Sequence, residues 1–180
     1  MILSEQTFIE LAGKQGVLDA KIKADKGIAE LPLERIELAY RVEAAECVNE
    51  MKGDMKYWSD KPMNREAFLE EFVDALHFYL SYTNHIIENR PYFSGMNLHS
   101  AFDDLVGDVE ANRYFIEGIP NGKVEYWELA SAVLCAEEIE ESFANLLTLV
   151  FCYNYTEQDI IDTYNRKNAV NHDRSDSGVY

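Results

Sequence analysis

Two acidic pairs carry the first chemical signal in this chain: Glu43 with Glu46, then Glu71 with Asp74, each three residues apart in a helical stretch. Residues at i and i+3 share a helix face, so each pair projects two carboxylates together. No lysine or arginine lies within a turn along either stripe to offset them. Two such charges about 5 Å apart repel by about 3 kcal/mol at an effective dielectric near 20. Four of them converging in one pocket need protons or a metal cation. Oxygen ligands suit hard, octahedral magnesium, and the sequence has no histidine–cysteine set spaced for zinc. The chemistry indicated is magnesium-dependent work on phosphate.

The elements that would position these acids read as helices. The first is expected from Ser4 to Asp25, with Ser4 as its cap. Pro32 suits the first turn of a second helix, expected to run to about Lys56. Pro62 and Asn64 open a third that ends near Asn89, before Pro91. Ser100 to Asp103 resembles a capping box for a fourth, and Gly118 to Gly122 is the clearest turn. A fifth helix is expected over Val124 to Tyr153, and Thr156 with Asp159 starts a sixth. The expectation is an all-α bundle of about six helices, one domain over residues 1–180, with the carboxylate site between the second and third helices. Residues 171–180 are expected to form a flexible, polar tail.

At 100° per residue, Leu69, Val73, Leu76 and Leu80 form the core stripe of the third helix. Glu71, Asp74 and Phe78 share another side, near Ala75 and Tyr82, while Glu70 falls on a wetter strip with His77 and Ser81. In the second helix Glu43, Glu46 and Glu50 share a stripe with Ala39. Either pair taken alone reads as a solvated helix face. Their conjunction beside small and aromatic residues favours a pocket, and spacing leaves both readings open.

The net charge of −17 disfavours nucleic acid and anionic membranes as partners. Cys47, Cys135 and Cys152 have no paired spacing and sit in apolar contexts, so each is expected buried and reduced. Residues 1–5 lack the basic start and apolar run of a secretory leader, and no apolar stretch approaches 18 residues. A cytoplasmic location is expected. His77 is expected to pack rather than to ligate metal, and His85, His99 and His172 to lie at the surface. Trp127 suits core or interface packing, and the acidic run from Glu137 to Glu141 a solvated face, with a basic protein partner as its alternative use.

Several blocks in order along the chain resemble the dimeric, all-α dUTPases. The two acidic pairs, with 24 residues between them, match that superfamily's Glu-x-x-Glu and Glu-x-x-Asp signature. Asn49-Glu50 and Lys56-Tyr57-Trp58 follow the first pair, and Asp74-Ala75-Leu76-His77-Phe78 resembles the family's Asp-x-x-His-Phe run. Gln15 to Asp19 is similar to its Gln-x-x-Leu-Asn segment, with aspartate where asparagine is usual. Tyr164 to Arg174 resembles the late Tyr-x-x-Lys-Asn-x-x-Asn-x-x-Arg motif, and Gly178-Val179-Tyr180 stands one residue off the closing Gly-Tyr, with Tyr180 a candidate lid.

The resemblance implies hydrolysis of dUTP to dUMP and pyrophosphate, with dUDP a possible further substrate, by a homodimer that requires magnesium. Glu43, Glu46, Glu71 and Asp74 would hold the metal, and Glu46 would also orient or deprotonate water, with Glu43 beside it. Lys167, Asn171 and Arg174 would grip the triphosphate, and they share a helical face at i, i+4 and i+7. Phe78, Trp58, Lys56, Gln15 and Asp19 would meet the nucleoside. Rival readings are a related pyrophosphohydrolase acting on dCTP or another nucleotide, and a non-catalytic helical protein that binds a partner. A di-iron bundle fits least, because it needs Glu-x-x-His pairs.

Overall fold

The hydrophobic stripes assemble around one helix, which is buried on almost every side along its middle. In a computed structural model that describes residues 2–89, 96–117 and 125–178, seven α-helices and no strand appear among the described residues. They are α1 (Glu5–Lys26), α2 (Leu33–Glu50), α3 (Arg65–Asn89), α4 (Leu98–Glu117), α5 (Tyr126–Cys135), α6 (Ile139–Cys152) and α7 (Glu157–Ser177). The central helix is α3, which packs against α1, α2, α4, α6 and α7. Val73, Leu76 and Leu80 are buried as the stripe predicts, and Phe68, Phe72, Ala75 and Tyr79 widen it. Leu69 lies at the edge, half-buried against the core.

Two helix pairings set up the functional end. Asn64 N–H donates to Glu50 O, and the Cys47 thiol donates to Phe68 O, so α2 and α3 run in opposite directions. That hairpin carries Glu43 and Glu46 back beside Glu71. By contrast, α1 and α7 run the same way. Ser4 N–H donates to Glu157, Tyr164 O–H to Leu11 O, Lys14 to Asn165, and Lys21 to Asp176. This register lays the end of α7 along the second half of α1.

Local chemistry explains the ends. Ser4 Oγ accepts from Thr7 N–H, and Gly27 closes α1 at φ 64°, a left-handed conformation that costs glycine least. Asn64 Oδ1 accepts from Ala67 N–H at the start of α3, and Thr156 with Asp159 forms a reciprocal capping box on α7.

Several expected boundaries are corrected. The second helix stops at Glu50, short of Lys56, and a single 3-10 turn (Lys52–Asp54) follows. Lys52 takes φ 53°, and a Cβ on Gly53 would lie 2.6 Å from Ser59 O, so the chain folds tightly back there. The fourth helix starts at Leu98, because Asn97 Oδ1 accepts from His99 and Ser100 N–H while Ser100 Oγ accepts from Asn97 N–H. The long fifth helix is two. Extended backbone at Ala136 and Glu138 breaks it, and the Arg41 guanidinium donates to the carbonyls of Ala136 and Glu137. The last helix continues to Ser177, through most of the segment expected as a tail.

Cys47 is buried as expected, whereas Cys152 is half-buried and Cys135 exposed. His85 is half-buried with its Nδ1 out of solvent, and His99 is exposed and pairs with Glu5 at 2.7 Å. Tyr126 stacks on Tyr153, while Trp127 stays exposed. Glu137, Glu138 and Glu141 are exposed, but Glu140 accepts from Tyr82 O–H at 3.0 Å. Pro91, the Gly118 to Gly122 turn and Tyr180 lie outside the described residues.

Candidate active site

Three of the four predicted metal-binding acids converge. Glu43, Glu46 and Glu71 each offer a carboxylate oxygen within 4.8 Å of the others. Glu46 is exposed, while Glu43 and Glu71 are half-buried. Burial, followed by the charges of Asp74, Glu46 and Glu71, pushes the Glu43 carboxyl up to about 7. Burial also raises Glu71 above its ordinary value, against the pull of Lys167. A cluster in which Glu43 is pushed up to about 7 by its neighbours is short of positive charge, and all its ligand atoms are oxygens. The donor set therefore fits a hard divalent cation.

Asp74 stands slightly apart, its carboxylate ion-paired to Lys167 Nζ, with burial raising it and that pair lowering it. Its neighbour Glu70, expected to be a solvated charge, pairs with Arg166 at 2.8 Å. The cations of α7 thus sit along the acidic face of α3.

Beside the carboxylates a cleft of about 220 Å³ opens between α1, α2, α3 and α7. Glu43 and Asp74 line one part, Asn171 and Arg174 another, and Phe78 and His77 come from α3. From α1 come Gln15, Leu18, Asp19 and Ile22. Seven of the predicted site residues therefore share one cavity, and Lys167 reaches it through Asp74. A roomier cavity of about 490 Å³ lies between α3, α4 and α6, but it is lined by Tyr79, Tyr82, Asp104 and their neighbours, away from the carboxylate cluster. Size alone is a poor guide here; converging charge marks the first cleft.

Two predicted nucleoside residues are not on the cleft. Trp58 is 69% exposed and meets Tyr57, itself 95% exposed, edge to face at 4.8 Å. Lys56 bends back to donate to Asn49 Oδ1. Both sit on the loop that follows the early end of α2.

A buried polar network, unanticipated as a unit, backs the cleft. Gln15 Nε2 donates to Asp19 Oδ1 at 2.8 Å and to Ser81 Oγ at 3.1 Å. Gln15 Oε1 faces His77 Nδ1 at 2.6 Å and Tyr164 O–H at 3.0 Å. Ser81 O–H donates to Asp19 Oδ2 at 2.7 Å. Burial raises the Asp19 carboxyl despite these bonds and pushes His77 down to about 3, so the imidazole is neutral. The available signal was the i, i+4 spacing of Gln15 with Asp19 and of His77 with Ser81, which puts each polar pair on one helix face.

A family model described as dUTPase matches residues 7–179. No curated protein matches the chain.

Proposed function

This chain belongs to the dUTPase family, and from that premise we propose that it hydrolyses dUTP to dUMP and pyrophosphate with magnesium. Glu43, Glu46 and Glu71, with Asp74 alongside, are the residues to hold the ion. When bound, magnesium would supply positive charge against the negative charge on the phosphoryl oxygens. Glu46, the exposed member of the cluster, orients the attacking water and takes its proton as the water oxygen bonds to the α-phosphorus. Pyrophosphate leaves as the bond between the α-phosphorus and the bridging oxygen breaks.

Arg174 offers a planar fork to phosphate oxygens, Lys167 a point charge and Asn171 an amide donor. Phe78 packs on the nucleoside. A single domain, a homodimer and a cytoplasmic location belong to the same reading. The exposure of Trp58 suits a contact with a second protomer better than one within its own cleft. No helix of the described residues is long and apolar enough to cross a membrane.

The observation that carries this reading is that Glu43, a member of the carboxylate cluster with its carboxyl pushed up to about 7, shares one cleft with Asp74, Asn171, Arg174 and Phe78. Incubation with dUTP and magnesium should release pyrophosphate, and a chelator should stop it. No release from dUTP at any magnesium concentration would sink the proposal.

A further inference from the structure

We propose that the cavity between α3, α4 and α6 binds an aliphatic polyamine, at a site separate from the cleft assigned to hydrolysis. Its volume of about 490 Å³ is that of a small-molecule pocket. Ile86, Met96, Ala101 and Leu105 give it apolar walls, with Tyr79 and Tyr82 beside them. The charge on those walls has one sign. Asp104, Asp108 and Glu140 line the cavity, and its described lining holds no lysine, arginine or histidine.

The fold does little to answer these acids. Asp104 and Asp108 are exposed and stand four residues apart on α4, a spacing at which like charges weaken a helix. Neither forms an ion pair or a hydrogen bond among the described residues. No basic residue stands three or four positions from either. Glu140, half-buried at the start of α6, accepts one bond, from Tyr82 O–H at 3.0 Å, and further lone pairs remain.

The hydroxyls of the lining have already committed their protons. Ser100 donates to Asn97 O at 3.0 Å, Thr83 to Tyr79 O at 2.9 Å, and Tyr82 to Glu140. Tyr79 is 2% exposed, and burial together with the Glu140 charge keeps its hydroxyl protonated. Among the described residues that hydroxyl has only the Thr83 side chain within hydrogen-bonding reach. The Thr83 proton is spent, so the Tyr79 oxygen is a buried acceptor with no donor, a costly state that a ligand N–H relieves. The ligand must therefore bring N–H donors and positive charge. A single divalent ion fits poorly, because the acids come from α4 and α6. Among the described residues only Glu43, Glu46 and Glu71 bring three ligand oxygens within 4.8 Å of one another. Ammonium groups joined by methylenes match separated carboxylates with apolar and aromatic walls between them.

Calorimetric titration of the full chain with spermidine, in excess magnesium and without nucleotide, tests this independently of any hydrolysis. The expected result is one saturable site per chain. Replacing both rim acids, Asp104→Asn with Asp108→Asn, should raise the Kd at least about tenfold, the scale of losing charge-assisted hydrogen bonds. Removing the same charge from exposed acids on another element, Glu30→Gln with Glu34→Gln, should change it by no more than about twofold. No saturable binding overturns the proposal, and so does an equal loss in both double variants, which would make the attraction one of net charge alone. Displacement of spermidine by an equal concentration of calcium also overturns it, since the site would then be a metal site. Ala101→Leu, which narrows the cavity without touching its charge, gives a second test: a folded variant that binds as the wild type does sinks the idea. Because Asp104 and Asp108 have no partner among the described residues to lose, their double variant is expected to fold.

Discussion

The two ends of the cleft solve opposite electrostatic problems. At the α2–α3 end, Glu43, Glu46 and Glu71 crowd like charges that the protein leaves unneutralised, apart from the influence of Lys167. At the α1–α3–α7 end, Gln15 spends both donors and both acceptor positions inside the fold. The first end is poised for a ligand and is strained without one. The second is largely settled without a ligand, and leaves His77 Nε2 buried without a hydrogen bond among the described residues. Catalytic groups are expected where charge is unresolved, and groups that set shape where it is resolved.

The largest effect that would sharpen this contrast is on turnover. Glu46→Gln is predicted to lower kcat by about a thousandfold, within the range for removing a positioned acid–base group, with little change in melting temperature. Near-normal turnover would remove Glu46 from the proton-handling role. A matching change at the other end, Gln15→Leu, should act the other way round. It strands Asp19, Ser81 and His77, and should cost about 3 kcal/mol of stability. Unfolding in urea would show this, and a loss under 1 kcal/mol would mean that the network relaxes or admits water.

These two ends also differ in how much the sequence disclosed. The carboxylate pairs were legible because both lie at i, i+3 within single helices, and a hairpin between consecutive helices brings them together. The buried polar network was not, because Gln15 and His77 are 62 residues apart and meet only through tertiary packing. His77 was recognisable as a packing residue, but its tautomer depends on Asp19, a contact that no local pattern encodes. The break at Ala136 was hidden for a similar reason. Ala136-Glu137-Glu138 favours helix locally, and the Arg41 guanidinium that holds its carbonyls comes from α2. Gly53, by contrast, was a visible stop for α2 that the longer helix ran past.

The neutral His77 gives the settled end a pH signature. Its folded pKa, about 3, lies below the ordinary 6.5 because burial, and then Lys167, disfavours the imidazolium. The unfolded chain therefore binds more protons as pH falls below 6.5, and stability present above that value is progressively lost down to about 3. At pH 5 the loss should be about 2 kcal/mol. His77→Gln should shrink the difference between urea unfolding at pH 7.5 and at pH 5. An identical difference in the two proteins would show that other groups govern it.

The strained end should respond to charge removal with the opposite sign. Without metal, Glu43→Gln relieves a half-buried carboxylate among like charges and should raise the melting temperature by about 3 °C, or roughly 1 kcal/mol at this chain length. With excess magnesium the order should reverse, because the wild type gains from an ion that binds only the folded cluster. Calorimetric scans with chelator and with magnesium would reveal the crossing. A variant less stable than wild type in both conditions would mean that Glu43 is a structural acid.

The smallest effect concerns what holds the two ends in register. Lys21 Nζ lies between Asp25 at 3.1 Å and Asp176 at 2.6 Å, and the Ser175 hydroxyl donates to Asp25. This clasp ties the last turn of α7 to α1 immediately beyond Arg174. Exposed ion pairs contribute little to stability, so Lys21→Ala should barely move the melting temperature. Its effect belongs in the position of Arg174, which is exposed and lies on the turn that the clasp holds. The prediction is a KM for dUTP raised about twofold to threefold with kcat unchanged, as for a change in ground-state grip. Asp176→Asn should reproduce part of it, and Lys21→Arg should restore the wild-type KM. An unchanged KM in Lys21→Ala would mean that α7 is held by its buried Tyr164 and Ile160 and that the clasp is incidental.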